Sequence, residues 1–142
     1  MKITIVYQSR RGKTAFYARE MAMFLWQQGV NVSLCATSDF TQEKLVNCDC
    51  LMLGCWTSGW FIVNQHPNDI WIEFAQKHLQ GSLPSHLLLF TTYKVRTGRL
   101  FKRMQHELNL SNVTSVSTMQ SKTGFLSDAD KTLLKGLVNQ LK

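Results

Sequence analysis

The chain has 142 residues, 44% of them hydrophobic and 18% charged, which excludes a disordered tail and suffices for a core that needs no disulfide or metal staple. Sixteen Lys and Arg against nine Asp and Glu leave a formal charge of +7 and a pI near 9.5, so an anionic ligand or partner is expected. Two prolines and eight glycines exclude collagen-like and low-complexity classes.

One domain is expected over residues 1–142. The first residues, Met1 to Tyr7, carry one lysine and a short apolar run that stops at Gln8-Ser9-Arg10-Arg11, so no secretory leader can be drawn there. No apolar run approaches the ~18 residues of a membrane span. Cys35, Cys48, Cys50 and Cys55 lack the repeated spacing of a secreted disulfide scaffold and read as reduced thiols. A cytoplasmic protein is expected.

Ile3-Thr4-Ile5-Val6-Tyr7 is β-branched and aromatic, bounded by a polar turn containing Gly12; this predicts a buried first strand. A helix follows from Thr14, with Ala15, Ala18, Met21 or Ala22, and Leu25 at three- and four-residue steps and Gly29 placed to end it. Further strands are predicted at Val30 to Leu34, Cys50 to Gly54, Leu87 to Thr92 and Val113 to Met119, the last alternating like an edge strand. Helices are predicted at Trp71 to Leu79, at Gly98 to Leu108, and along Leu133, Leu134, Leu137, Val138 and Leu141, where Ser127 and Asp130 form a capping box. Asp39 to Asn47 has room for one or two helical turns. Strands and helices alternating at this pace predict an α/β doubly wound parallel sheet with helices on both faces, and such sheets bind ligands at the carboxyl ends of their strands.

Gly12-Lys13-Thr14 at a helix start suggests a nucleoside-triphosphate loop, but that motif needs a glycine five residues before Gly12, and Tyr7 stands there. What remains is Ser9 and Thr14 hydroxyls and backbone N–H groups at a helix N-terminus, a cradle for a single phosphate, with Arg10, Arg11 and Lys13 beside it. The plain alternative is Ser9 capping the helix and the cations in solvent. The loop's place after the first strand favours the cradle, because the segments Cys55 to Gln65 and Thr91 to Gly98 should leave the same sheet edge.

These segments resemble the flavodoxin family, in which one FMN lies across the carboxyl ends of a five-stranded parallel sheet of order 2-1-3-4-5 in a three-layer sandwich. The family's first loop reads Ser or Thr, two residues, Gly, any residue, Thr; Ser9-Arg10-Arg11-Gly12-Lys13-Thr14 has that frame. The resemblance then sets Trp56, Thr57, Ser58, Gly59 and Trp60 beside the ring, Gly59 matching the glycine whose neighbouring peptide turns a carbonyl toward flavin N5. It sets Thr91, Thr92 and Tyr93 in the third loop, Tyr93 standing four residues before Thr97-Gly98 as the ring-stacking tyrosine does in the family. Ser58 occupies a place where many members have an aromatic, so covering the inner face falls to Trp60 or Trp56. Phe90-Thr91-Thr92 replaces an often acidic stretch. The length resembles the short-chain type.

The implied function is an FMN-binding electron carrier shuttling between redox partners. Ser9, Gly12 and Thr14 would contact the phosphate, with Arg10, Arg11, Lys13 or the Trp56 indole N–H as added donors. Tyr93 and Trp60 would sandwich the ring. Lys94, Arg96, Arg99, Lys102 and Arg103 are either a solvated helix face or a dock for an acidic partner. Their charge should make the potential of the fully reduced, anionic ring less negative than in acidic members. Two other functions fit the same residues: an NAD(P)H-dependent FMN or quinone reductase, and a flavin-free binding or regulatory module.

Trp71, inside a helix pattern, is expected in ordinary packing. Cys48, Cys50 and Cys55 lack a fourth ligand, and His66, His78, His86 and His106 are scattered, so neither a metal site nor a catalytic residue is expected. Neither a membrane nor, in the absence of a recognisable motif, a nucleic acid is expected as a partner.

Overall fold

An apolar run of branched residues is stable as a strand only when both faces are covered, and Ile3, Thr4, Ile5 and Val6 are all buried in β1 (Lys2–Tyr7). The structure is a computed structural model that describes residues 1–60 and 63–142, with the side chains of residues 59, 60, 63 and 64 outside the description. After β1 come α1 (Lys13–Gln27), β2 (Asn31–Ala36), 3-10 turns at Thr37–Asp39 and Gln42–Leu45, and β3 (Cys50–Trp60). Then follow β4 (Val63–Pro67), α2 (Asp69–His78), β5 (His86–Thr92), α3 (Leu100–His106), β6 (Ser115–Ser121) and α4 (Asp128–Leu141).

The strands β2-β1-β3-β5-β6 pair in that order, all in parallel. This is the expected order 2-1-3-4-5 counted over the parallel strands. Alternation along each strand divides the core. Ile3, Ile5, Met52, Leu88 and Phe90 pack against Tyr17, Met21 and Leu25 of α1 and Leu134 and Val138 of α4. Val6, Leu51, Leu53, Leu87 and Leu89 pack on the other face against Trp71 and Phe74 of α2 and Leu100 and Met104 of α3. Trp71 is fully buried in that layer, as its helical spacing predicts.

The local signals hold at several ends. Asp130 N–H donates to Ser127 Oγ at 3.0 Å and Ser127 N–H to Asp130 Oδ2 at 3.1 Å, the capping box of α4. Gly29, with φ 84°, follows the end of α1. The 3-10 turns take the place reserved between β2 and β3 for one or two helical turns. Other boundaries move. The last strand lies two residues later than expected because β5 pairs His86 to Thr92 with Ser115 to Ser121. The helix predicted at Gly98 to Leu108 is only Leu100–His106.

The segment from Cys55 to Gln65, expected as a loop, is largely extended. β3 runs past the parallel sheet and turns into antiparallel β4, pairing Thr57 with Pro67, Ser58 with His66 and Trp60 with Val63, with a register shift between Ser58 and Trp60. β-branched and aromatic residues favour such a hairpin over an open loop.

Candidate functional site

The carboxyl ends of β1, β3 and β5 lie side by side, Tyr7 paired with Gly54 and Gly54 with Phe90. Gly54 is required there, since a Cβ at that position would fall 1.9 Å from the buried Phe90 ring. The turn after β1, the β3–β4 hairpin and the segment after β5 enclose a cavity of about 640 Å³ at this edge.

In the first turn Gly12 takes φ 97° and forms the N-cap of α1, a left-handed conformation that favours glycine. Its N–H donates to Ser9 Oγ at 3.1 Å, which leaves the Ser9 hydroxyl proton free to donate. Ser9 therefore braces the turn while Gly12 occupies the cap. Arg10 and Arg11 are exposed on the cavity wall, and the Arg10 guanidinium carbon lies 5.3 Å from the centre of the Trp56 ring, within cation–π range.

Lys13, one of the cations expected near an anion, spends two donors elsewhere. Its Nζ donates to Tyr93 O at 3.1 Å and to Lys122 O at 2.9 Å. Burial first, then the charges of Lys94 and Lys122, pull its pKa below the ordinary lysine value. Gly124, with φ 91°, brings the segment after β6 close enough, for a Cβ there would meet Lys13 Cγ at 3.0 Å and Lys13 O at 3.2 Å. Thr14 and Thr92, both buried on the cavity floor, share a hydrogen bond of 2.6 Å.

From the hairpin, Trp56, Thr57 and Ser58 line the cavity. Thr91 is fully buried behind it and donates to Cys55 O at 2.7 Å; its proton is thereby committed, so Thr57 is the donor in the 2.9 Å Thr57–Thr91 contact. Tyr93 lines the opposite wall, its N–H donating to Ser121 O at 3.3 Å. Thr97 turns away to Gln120 Oε1 at 3.0 Å. Gly98 supports the wall from behind, because a Cβ there would fall 2.5 Å from Oε1 of the buried Gln65, a lining residue. Gly59 and Trp60 belong to β3, and their side positions lie outside the described residues.

Sequence spacing missed Gln65 and His66, and it read Lys94 and Arg96 as a solvated face or a partner dock whose charge also tunes the site, without placing them in its lining, whereas all four line the cavity together with Val95. The signal for His66 was available only as a cross-strand pair with Ser58. His66 Nδ1 lies 2.7 Å from Pro67 O; a carbonyl can only accept, so Nδ1 carries the proton. Arg99, Lys102 and Arg103 stand apart from the cavity, in a neighbouring groove of about 430 Å³ that shares His66 with it.

The four cysteines are unpaired thiols, and no group of three or more metal-ligating side chains occurs among the described residues. Among them, too, no helix is long and apolar enough to cross a membrane.

No protein-family model matches the sequence, and no curated protein matches it in a sequence search. Solved structures do match. A short-chain flavodoxin associated with a non-canonical PDU bacterial microcompartment superposes with a TM-score of 0.71 at 13% identity, covering 100% of this chain and 99% of that one. Two-electron reduced Megasphaera elsdenii flavodoxin gives 0.69 at 20% identity over 96% and 98%.

The chain has the flavodoxin fold. Rubredoxin oxygen:oxidoreductase from Desulfovibrio gigas also matches, with a TM-score of 0.69 at 16% identity, and there the chain spans 35% of the longer protein. In the frame of this fold the cavity occupies the ligand edge of a parallel α/β sheet. Among the described residues its walls combine hydroxyl and amide donors, five cations, and the Trp56 and Tyr93 rings, a donor set suited to a flat ring system carrying a phosphate.

Proposed function

We propose that this chain binds FMN in the 640 Å³ cavity and carries electrons between redox partner proteins. The observation that supports it best is the composition of the cavity: the first turn offers the Ser9 hydroxyl and two arginines, and Trp56, with Arg10 over its ring, and Tyr93 share the lining. The donor set fits a dianionic phosphate attached to an apolar, flat ring.

In this reading Ser9, Gly12 and Thr14 would hold the phosphate, with Arg10 and Arg11 adding charge. Arg10 is held over Trp56, which restricts both side chains before a ligand arrives and reduces the ordering cost of binding. Thr57, Ser58, Thr92, Gly59 and Trp60 would border the ring with Tyr93. Thr91 and Gly98 act from behind, fixing the hairpin and the Gln65 wall, while Thr97 is tied to Gln120 of β6. FMN, when bound, takes up and releases electrons at its ring. Lys94 and Arg96 add positive potential along the rim, which favours added negative charge in the cavity. They extend toward Arg99, Lys102 and Arg103, the surface proposed for partner docking.

An absorbance spectrum of the purified protein and an FMN titration with Trp fluorescence test this reading. Flavin bands and quenching that saturates at one FMN per chain are expected. Colourless protein without quenching overturns it and leaves a flavin-free module. Rapid NAD(P)H oxidation by the holoprotein alone would make it a reductase instead of a carrier.

A further inference from the structure

The groove beside the cavity is not used by the cofactor reading. On its α3 side stand Arg99, Lys102, Arg103 and His106, spaced as neighbours along one helical face. The row is about 10 Å long at the rise of an α-helix. Pro67 and Ile72 line the groove with apolar surface. Glu107 is the one acid in its lining among the described residues, and it already accepts from Gln76 Nε2 at 3.0 Å. Arg99, Lys102 and Arg103 are exposed and have no ion-pair partner among the described residues.

An extended row of cations along an apolar groove asks for several anions spaced on a chain that also carries apolar groups. An acidic polypeptide has both, and Arg binds carboxylates through two parallel hydrogen bonds. A nucleotide or single-stranded nucleic acid would want an aromatic face for its base, and among the described residues the groove lining contains no Phe, Tyr or Trp. His66 belongs to both hollows, so whatever fills the groove lies against the cofactor cavity. We infer that the groove between β4 and α3 is the docking site for an acidic segment of a redox partner protein. The redox character of that partner rests on the proposed function above; the acidic chemistry of the site rests on the groove alone.

The test uses the full chain and a fluorescein-labelled twelve-residue peptide of alternating Glu and Leu, read by fluorescence anisotropy at low salt and at 0.3 M NaCl; at roughly 3.3 Å per extended residue the probe is longer than the row and covers it in any register. The wild type, the Arg99→Glu/Arg103→Glu double variant and Arg19→Glu, a control on the exposed side of α1, are compared. The expected result is at least tenfold weaker peptide binding in the double variant, unchanged binding in the control, and loss at high salt. NMR shift changes should gather at His66 and His106. Equal weakening in both variants overturns the site, since it would mean diffuse attraction to a basic protein. Tighter binding of a single-stranded RNA dodecamer or of 2′,5′-ADP in the same groove also overturns it. FMN titrations of the same samples separate the two proposals: a wild type that binds peptide but no FMN keeps the groove and loses the carrier, and one that binds FMN but no peptide does the reverse.

Discussion

Lys13 Nζ donates a hydrogen bond to the carbonyl of Tyr93 at 3.1 Å, across 80 residues of sequence. Its second bond, to Lys122 O, joins the segment after β6 to the same ammonium, so one side chain ties together three strand ends. Lys13→Met should therefore disturb the placement of Tyr93 more than the phosphate cradle. Hydrogen bonds from a charged donor are worth about 1.5–3 kcal/mol, so affinity should drop by roughly tenfold or more, for FMN and for phosphate-free riboflavin alike. A loss confined to FMN would show that Lys13 acts as a phosphate ligand.

Lys94 and Arg96 line the cavity and are exposed. Neutralising either to Gln should make the more negative flavin potential more negative by ~40 mV per charge, the effect of about 1 kcal/mol from one partly screened unit charge. Potentiometric titration at low and high salt checks this. No change at low salt would remove electrostatic tuning from the function of this rim.

Gly54 leaves no room for a Cβ beside Phe90, whose ring is buried and lies edge-on to Tyr17 at 6.0 Å. Gly54→Ala should destabilise the protein by about 1–3 kcal/mol through overpacking. Adding Phe90→Leu should recover part of that loss, because the smaller side chain frees the space. Urea denaturation of the two single variants and the double variant measures the coupling; strictly additive losses would contradict the contact.

Alkaline pH should weaken the fold through buried acids that ionise more easily once unfolded. Burial pushes the Cys55 thiol up to about 12 and raises Cys50 as well. Tyr17, buried and donating to Asp130 Oδ2 at 2.9 Å, is likewise raised, first by burial and then by the Asp130 charge and hydrogen bond. A raised folded pKa means that the unfolded chain loses its proton first as pH climbs. The thiols' share of stability is complete below the ordinary thiol pKa of about 8.5 and that of Tyr17 below about 10, and above its own threshold each group's share declines by about 1.4 kcal/mol per pH unit. Cys55→Ala should make the decline between about pH 9 and 11 shallower by one group's share. An unchanged slope in urea titrations across that window would contradict the assignment.

Local rules carried much of the architecture. Branched residues covered on both faces, the Ser127–Asp130 box, Gly29 past α1 and the Ser9 to Thr14 frame all act over a few residues, so their consequences were legible in order along the chain. The division of the core between two helical layers followed as well, since alternation in a parallel strand leaves little choice of face. The path of β3 was not legible. Whether Thr57 and Ser58 lie in a loop or in a hairpin depends on the pairing of Ser58 with His66, and strand propensity alone does not choose a partner.

The sequence by itself determined that a polar turn containing Gly12 opens α1 and that basic residues follow β5. Only the tertiary structure decided how each cation is spent: Lys13 on two backbone carbonyls, Arg10 over Trp56, Lys94 and Arg96 on the cavity rim, Arg99 and Arg103 in a separate groove. The physical reason is that a flexible charged side chain takes the acceptors within its reach. For Lys13 one of those acceptors lies 109 residues away in the chain, and it reaches Lys13 only because β6 closes the sheet and Gly124 permits the approach.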